Sequence, residues 1–178
     1  VGPVLDAREA EFRAALAECT GPNAPADAAV ILRRAADRLL SIRVCDPAMG
    51  SGHFLVHAAN WLTERLISFL SEFPDNPVLE ELARIRAEIQ ARLAEDGIVV
   101  GDSALRDTSL LKRLVIKRSI YGVDLNPMAT ELAKLSLWLD SFTIGAPLSF
   151  LDHHLKHGNS LVGTRVLEVS RAMESTAA

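Results

Sequence analysis

A chain of 178 residues, 49% apolar with a formal charge of −4, has the size of one domain with a core of its own. Its pI near 5.7 and the absence of any basic cluster beyond Lys112-Arg113 and Lys117-Arg118 exclude a surface that holds nucleic acid by charge alone. It has no bilayer-length apolar run, no secretory signal pattern at its start and only two cysteines, Cys19 and Cys45, so the expected location is a reducing cytoplasm with no membrane partner.

Leu5, Phe12 and Leu16 recur at helical spacing and predict a helix over residues 1–17. The chain opens on this apolar segment without a methionine, as expected of a piece cut from a longer protein. Residues 20–27 hold two prolines, Gly21 and Asn23 and read as a loop. A helix over 28–40 follows, with Ile31, Leu32, Ala35 and Leu39 inward. Ser41 begins the first strand, which reads as buried because Ile42 and Val44 are apolar and Cys45 is small enough to pack. Asp46-Pro47 stops the ladder, since proline has no N–H to donate. Gly50 and Gly52 then allow a tight turn that brings backbone close to a ligand. A helix from Phe54 to about Glu72 carries Leu55, Ala58, Ala59, Leu62, Leu66 and Leu70 at helical spacing.

Pro74-Asp75-Asn76-Pro77 breaks that helix. The next, over 78–95, sets Leu79, Leu82, Ile85, Ile89 and Leu93 on one face and is expected to lie on the sheet edge. Ile98-Val99-Val100 is a short strand-like patch, and residues 109–117 predict another helix. Residues 119–124 form the second buried strand and again end in a carboxylate, Asp124. Asn126 is a good N-cap and Pro127 suits a first helical turn. Leu132, Leu135, Trp138 and Leu139 are expected to be the apolar face of a helix ending near Phe142, with Gly145-Ala146-Pro147 closing it. Residues 148–163 make a third strand region, and 164–178 is expected to be a poorly ordered tail. Trp61 and Trp138 read as core residues on apolar helix faces.

Alternation of apolar strands with helices predicts an α/β fold: a parallel sheet with helices on both faces. The organisation expected is N-terminal helices over 1–40, a core over 41–163 and a helical insertion over 74–118 within it. Strand, glycine turn and helix present N–H groups and a helix N-terminus to a nucleotide. The dinucleotide fingerprint fails, because Leu55 stands where a third glycine is required. A nicotinamide-dependent oxidoreductase is therefore a distant reading. An acid at the end of the second strand suits a ribose, whose two hydroxyls a carboxylate can accept in a bidentate way. The competing role for Asp124 is purely structural, as an acid at the start of the helix that follows.

The string Asp46-Pro47-Ala48-Met49-Gly50-Ser51-Gly52-His53-Phe54-Leu55 resembles the first cofactor motif of the N6-adenine DNA methyltransferases, which use S-adenosylmethionine (SAM). Residues 120–129, Ile-Tyr-Gly-Val-Asp-Leu-Asn-Pro-Met-Ala, with 131–139 behind them, resemble the second motif region of large restriction–modification methyltransferases. The nearest kinds are the type IIG single-chain restriction–methylation enzymes and the phage-exclusion (BREX-like) adenine methyltransferases. Residues 150–155 with 157–163 resemble their third motif. The resemblance implies a partial Rossmann-like, class I SAM-dependent methyltransferase core. It implies SAM held by Asp46, Pro47, Ala48, Met49, Gly50, Ser51, Gly52, His53, Phe54 and Asn126, with Asp124 on the ribose and Leu125 and Asn159 at the adenine. Leu125 would wall the ring and Asn159 would reach it.

The gap from Asp46 to Asp124 far exceeds the roughly 20 residues of a compact nucleotide unit; the insertion fills it, as in large family members. The family's Asn/Asp-Pro-Pro-Tyr/Phe motif is missing, since no Pro-Pro occurs; Asn76-Pro77 and Asn126-Pro127 are followed by Val78 and Met128. Its N-terminal aromatic-Thr-Pro segment is missing too. The resemblance thus implies the SAM-binding part of an adenine-specific DNA methyltransferase of restriction–modification or phage defence, carrying no catalytic residue and inactive alone. In the intact enzyme, adenine N6 attacks the sulfonium methyl after the base leaves the stack, with DNA held through parts outside this chain.

No metal is expected. His53 and His57 lack the Glu of a zinc-protease helix, and His153, His154 and His157 have no cysteine and no carboxylate except Asp152 nearby. Two further readings stay open: a SAM-dependent methyltransferase acting on RNA or protein, and a non-catalytic SAM-fold binding module. An Asn-Pro-Pro-Tyr in the next stretch of the gene would favour the adenine enzyme; a stop codon there would favour the binding module. The oligomeric state is left open.

Overall fold

The computed structural model describes residues 1–20, 22–98, 101, 105–143 and 151–162. In chain order these form helices α1 (Gly2–Cys19) and α2 (Ala28–Leu39), strand β1 (Val44–Asp46), and helices α3 (His53–Leu70), α4 (Pro77–Glu95) and α5 (Asp107–Ser119). Strand β2 (Ile120–Asp124), helix α6 (Pro127–Asp140) and strand β3 (Leu155–His157) follow. The sheet is parallel with order β1-β2-β3; Asp46 pairs with Gly122 and Asp124 with His157. This is the α/β architecture that strand–helix alternation predicts, consistent with the partial Rossmann-like core that the resemblance implies.

Strands laid side by side in sequence order place right-handed crossovers on one face of the sheet. Burial agrees: Val44, Ile120, Gly122 and Leu155 point into the core, while Cys45, Tyr121, Val123 and Lys156 on the other face range from half-buried to exposed. Among the described residues the helices thus cover the face carrying Val44, Ile120, Gly122 and Leu155, and the opposite face is exposed to half-buried, where helices on both faces were expected. Cys45 accordingly is exposed, not packed as its size suggested, and regular pairing begins at Val44 rather than Ser41. On the open face Tyr121 stacks on His154 with ring centroids 4.4 Å apart.

Helix α3 runs through the centre of the core, with Leu55, Ala59, Leu62, Leu66 and Leu70 buried; Trp61, expected in the core, lies on its exposed side. Helix α1 closes over its far end through the mutual edge contacts of Phe12, Phe69 and Phe73. Arg65 also reaches from α3 to the buried Glu9. Helix α4, expected on the sheet edge, packs instead on α2 and α5, and Arg118 fastens it by bridging Asp37 and Glu81.

The largest departure from expectation is α6. Its core-facing residues are Thr130, Ala133 and Leu137, while Leu132, Leu135 and Leu139 face outward and Trp138 is half-buried. The reason is closeness. A Cβ on Gly52 would stand 3.0 Å from Ala133 Cβ and 3.1 Å from its Cα, so only the small-residue side of α6 fits there. Val99 and Val100, Gly145-Ala146-Pro147, Phe150, Gly163 and the tail over 164–178 lie outside the described residues.

Candidate functional site: a glycine turn tied to an acid

The ends of β1 and β2 lie side by side, and each is closed by its own aspartate. Asp46 Oδ1 accepts the Ala48 N–H at 3.0 Å, which bends the chain into the turn. Gly50 (φ 55°) and Gly52 (φ 85°) carry that turn in the left-handed region, where residues with a Cβ are strained. Gly52 is the N-cap of α3 and supplies no side-chain cap, so the helix start is presented by backbone alone. Ser51 Oγ lies 2.9 Å from His53 Nδ1, and Pro47, Ala48, His53 and Phe54 are solvent-exposed around the rim.

Three contacts seat this turn on β2. The Met49 N–H donates to Val123 O at 3.1 Å, the Gly50 N–H donates to Asp124 Oδ2 at 2.8 Å, and the buried Met49 side chain lies over Gly122. A Cβ at Gly122 would meet Met49 Sδ at 2.3 Å and Leu55 Cδ1 at 2.9 Å. Sequence reasoning missed Gly122; its signal was a glycine inside an otherwise apolar strand, which marks a close approach.

Asp124 accepts a second backbone bond, from the Asn126 N–H at 2.8 Å through Oδ1. The amides of Asn126 and Gly50, helped by the nearby His157, hold its carboxyl below the ordinary carboxylate range against some opposing desolvation. It is therefore firmly ionised at neutral pH, and each oxygen retains acceptor capacity beyond its single N–H. Capping of α6 falls to Asn126, whose side chain accepts the Met128 N–H at 2.9 Å. Leu125 between them is 68% exposed, an apolar surface beside the carboxylate.

The segment after β3 reaches the same end of the sheet. Gly158 N–H donates to Asp124 O at 2.9 Å, and His157 Nε2 lies 3.1 Å from Leu125 O. Asn159 is thereby brought next to the Asp124 turn; its Oδ1 accepts the Leu161 N–H at 3.0 Å, leaving its amide N–H groups for other partners. Lys134 fixes the approach to β3 by binding Asp152 at 2.6 Å, and the pair raises the Lys134 pKa and lowers that of Asp152. The expected site residues thus cluster at one end of the sheet, in two turns and the segment after β3, but Met49 and Gly52 are buried beneath that surface rather than on it. Among the described residues no group of three His, Cys, Asp or Glu could hold a metal ion, and no helix is long and apolar enough to cross a membrane.

Residues 22–157 match the family model described as MmeI, DNA-methyltransferase domain. The chain is also 33% identical over 142 residues to a protein of Methanocaldococcus jannaschii named as a candidate type II restriction enzyme and methyltransferase. The match takes in 75% of this chain and 10% of that relative, so the chain spans about a tenth of its length. No solved structure matches. A parallel sheet, a glycine turn locked to the acid of the next strand, and a family match over most of the chain converge: the chain belongs to the MmeI DNA-methyltransferase domain family.

Proposed function

We propose that this domain binds SAM for transfer of a methyl group to the N6 amino group of adenine in DNA, within a restriction–modification or phage-defence protein of the cytoplasm. The observation that carries the reading is the bond from Gly50 N–H to Asp124 Oδ2, which makes the glycine turn and the acid one binding edge. The residues suit this cofactor. A Cβ placed on Gly50 would meet no heavy atom within 4 Å, so the turn has open space before it. The ionised Asp124 would accept the ribose hydroxyls, Leu125 would lie against the adenine, and Asn159 would offer N–H groups to the ring. Asp46 to Phe54 would wrap the amino-acid end. SAM supplies an electrophilic methyl group; this chain's part is to hold and orient it.

The 178 residues contain no Asn/Asp-Pro-Pro-Tyr/Phe motif, so catalysis requires a segment beyond them and residues 1–178 alone should not turn over. The mild acidity of the chain favours DNA contacts made elsewhere in the protein. The test is to incubate the longer protein with DNA and labelled SAM and to analyse the nucleosides. N6-methyladenosine is the expected product. Methylated cytosine, label in RNA or protein, or turnover by residues 1–178 would each contradict the reading.

A further inference from the structure

In the turn that follows β2, one peptide is held by side chains at both of its polar ends. The peptide joining Leu125 to Asn126 gives its N–H to Asp124 Oδ1 at 2.8 Å, and its carbonyl lies 3.1 Å from His157 Nε2. A carbonyl only accepts, so Nε2 carries the hydrogen and donates it. Asp124 and His157 are register partners at the ends of β2 and β3, so the two side chains grip the peptide from adjacent strands. The grip starts from a fixed base, because the Gly158 N–H just beyond His157 is bound to Asp124 O at 2.9 Å. Leu125 is 68% exposed, so its carbonyl has access to water and the imidazole is not needed to satisfy a buried group. So exposed a side chain is also held little by packing. What His157 adds is direction: with both ends of the peptide bound, the backbone on either side cannot turn, and Leu125 is kept at one angle beside the carboxylate. The same imidazole helps to keep Asp124 ionised.

We propose that His157 is a positioning residue for the nucleoside end of the cofactor. By fixing the Leu125–Asn126 peptide it keeps Leu125 as a preformed wall for the base, next to the carboxylate that receives the ribose. The inference rests on the SAM reading above and deepens it, because His157 acts through Leu125 and contributes by preorganisation: the wall is ordered before the ligand arrives rather than at its expense. The alternation of β3 makes the role specific to this position. Leu155 is buried in the core and Lys156 lies on the opposite face of the sheet, so only residue 157 leaves the strand end on the side of the Asp124 turn. The consequence is selective: loss of His157 weakens ligands that carry a base and spares those that lack one.

The experiment titrates SAM, and its analogue lacking the base, into wild type, His157→Ala and His157→Gln. Glutamine carries an amide N–H that can take the place of Nε2 and restore the bond. His157→Ala should lower SAM affinity about fivefold, the worth of one neutral hydrogen bond, and leave the base-free analogue within about twofold of wild type. His157→Gln should recover most of the loss. Equal losses for both ligands would mean a general loosening of the turn and overturn the proposal. Unchanged SAM affinity in His157→Ala, or a glutamine variant no better than alanine, overturns it too. Nitrogen NMR of the ligand-free protein separates this failure from that of the cofactor reading. The neutral imidazole of His157 should be the Nε2–H tautomer; the Nδ1–H tautomer overturns the clamp whatever the ligand. If the Nε2–H tautomer is found and wild type binds no SAM, the cofactor reading has failed and the proposal falls with it.

Discussion

The ends of β1 and β2 make turns of opposite character. The first is shaped by backbone freedom, with two glycines in the left-handed region and its one buried side chain, Met49, packed over Gly122. The second is shaped by a side chain, because Asp124 gathers the N–H of its own turn and that of its neighbour. One turn supplies conformation and the other supplies charge. The Gly50–Asp124 bond makes each depend on the other, so a change on either side should disturb stability and binding in different proportions.

The sharpest way to break the glycine side is Gly52→Ala. The new Cβ combines a left-handed backbone penalty of about 1–2 kcal/mol with a 3.0 Å contact against Ala133. A loss of about 2–3 kcal/mol in urea unfolding is expected, with SAM binding lost in parallel. Gly122→Ala strikes the seat under the turn; Met49 can yield partly, so about 1–2 kcal/mol is expected. SAM affinity should fall although no ligand contact has changed. Both results would mark the turn as a part whose shape comes before its chemistry.

The acid side breaks differently. Asp124→Asn removes the charge and leaves one acceptor oxygen for two backbone N–H groups, and should weaken SAM binding about tenfold while lowering the unfolding midpoint less than Gly52→Ala does. The pH dependence carries the same signature. The folded-state pKa of Asp124 lies below its unfolded value of about 3.9. Its contribution to stability is therefore complete above that value and lost as pH falls through the lower folded pKa. Acid unfolding of wild type and Asp124→Asn should converge in that window and run parallel above it. The smallest effect expected is from Asp46→Ala, which forfeits one exposed bond to Ala48 N–H and should cost about 0.5–1 kcal/mol.

Much of this was legible in the sequence, and the failures have a common cause. Turn-forming residues act locally, so Asp46, Gly50, Gly52, Asn126 and Pro127 announced the two strand ends and the start of α6. The burial side of an element depends on what lies against it, and this local patterning does not carry. Leucines at helical spacing predict the inner face of α6, yet the approach of Gly52 to Ala133 turns Ala133 inward with Thr130 and Leu137 and leaves Leu132, Leu135 and Leu139 outward. Cys45 is expected to pack from its size, yet among the described residues nothing covers it and it is exposed. Gly122 was passed over because its reason, the Met49 side chain lying over it, is supplied by a residue far away in sequence.

The central claim, that Asp124 both ties the turn and receives the cofactor ribose, is tested most directly by a calorimetric cycle. SAM and an analogue lacking a ribose hydroxyl would be titrated into wild type and Asp124→Ala. If the carboxylate holds the ribose, deleting the hydroxyl weakens binding to wild type about tenfold and has almost no further effect in the variant. Equal losses in both proteins would mean that Asp124 only supports the turn and that the ribose is held by another group.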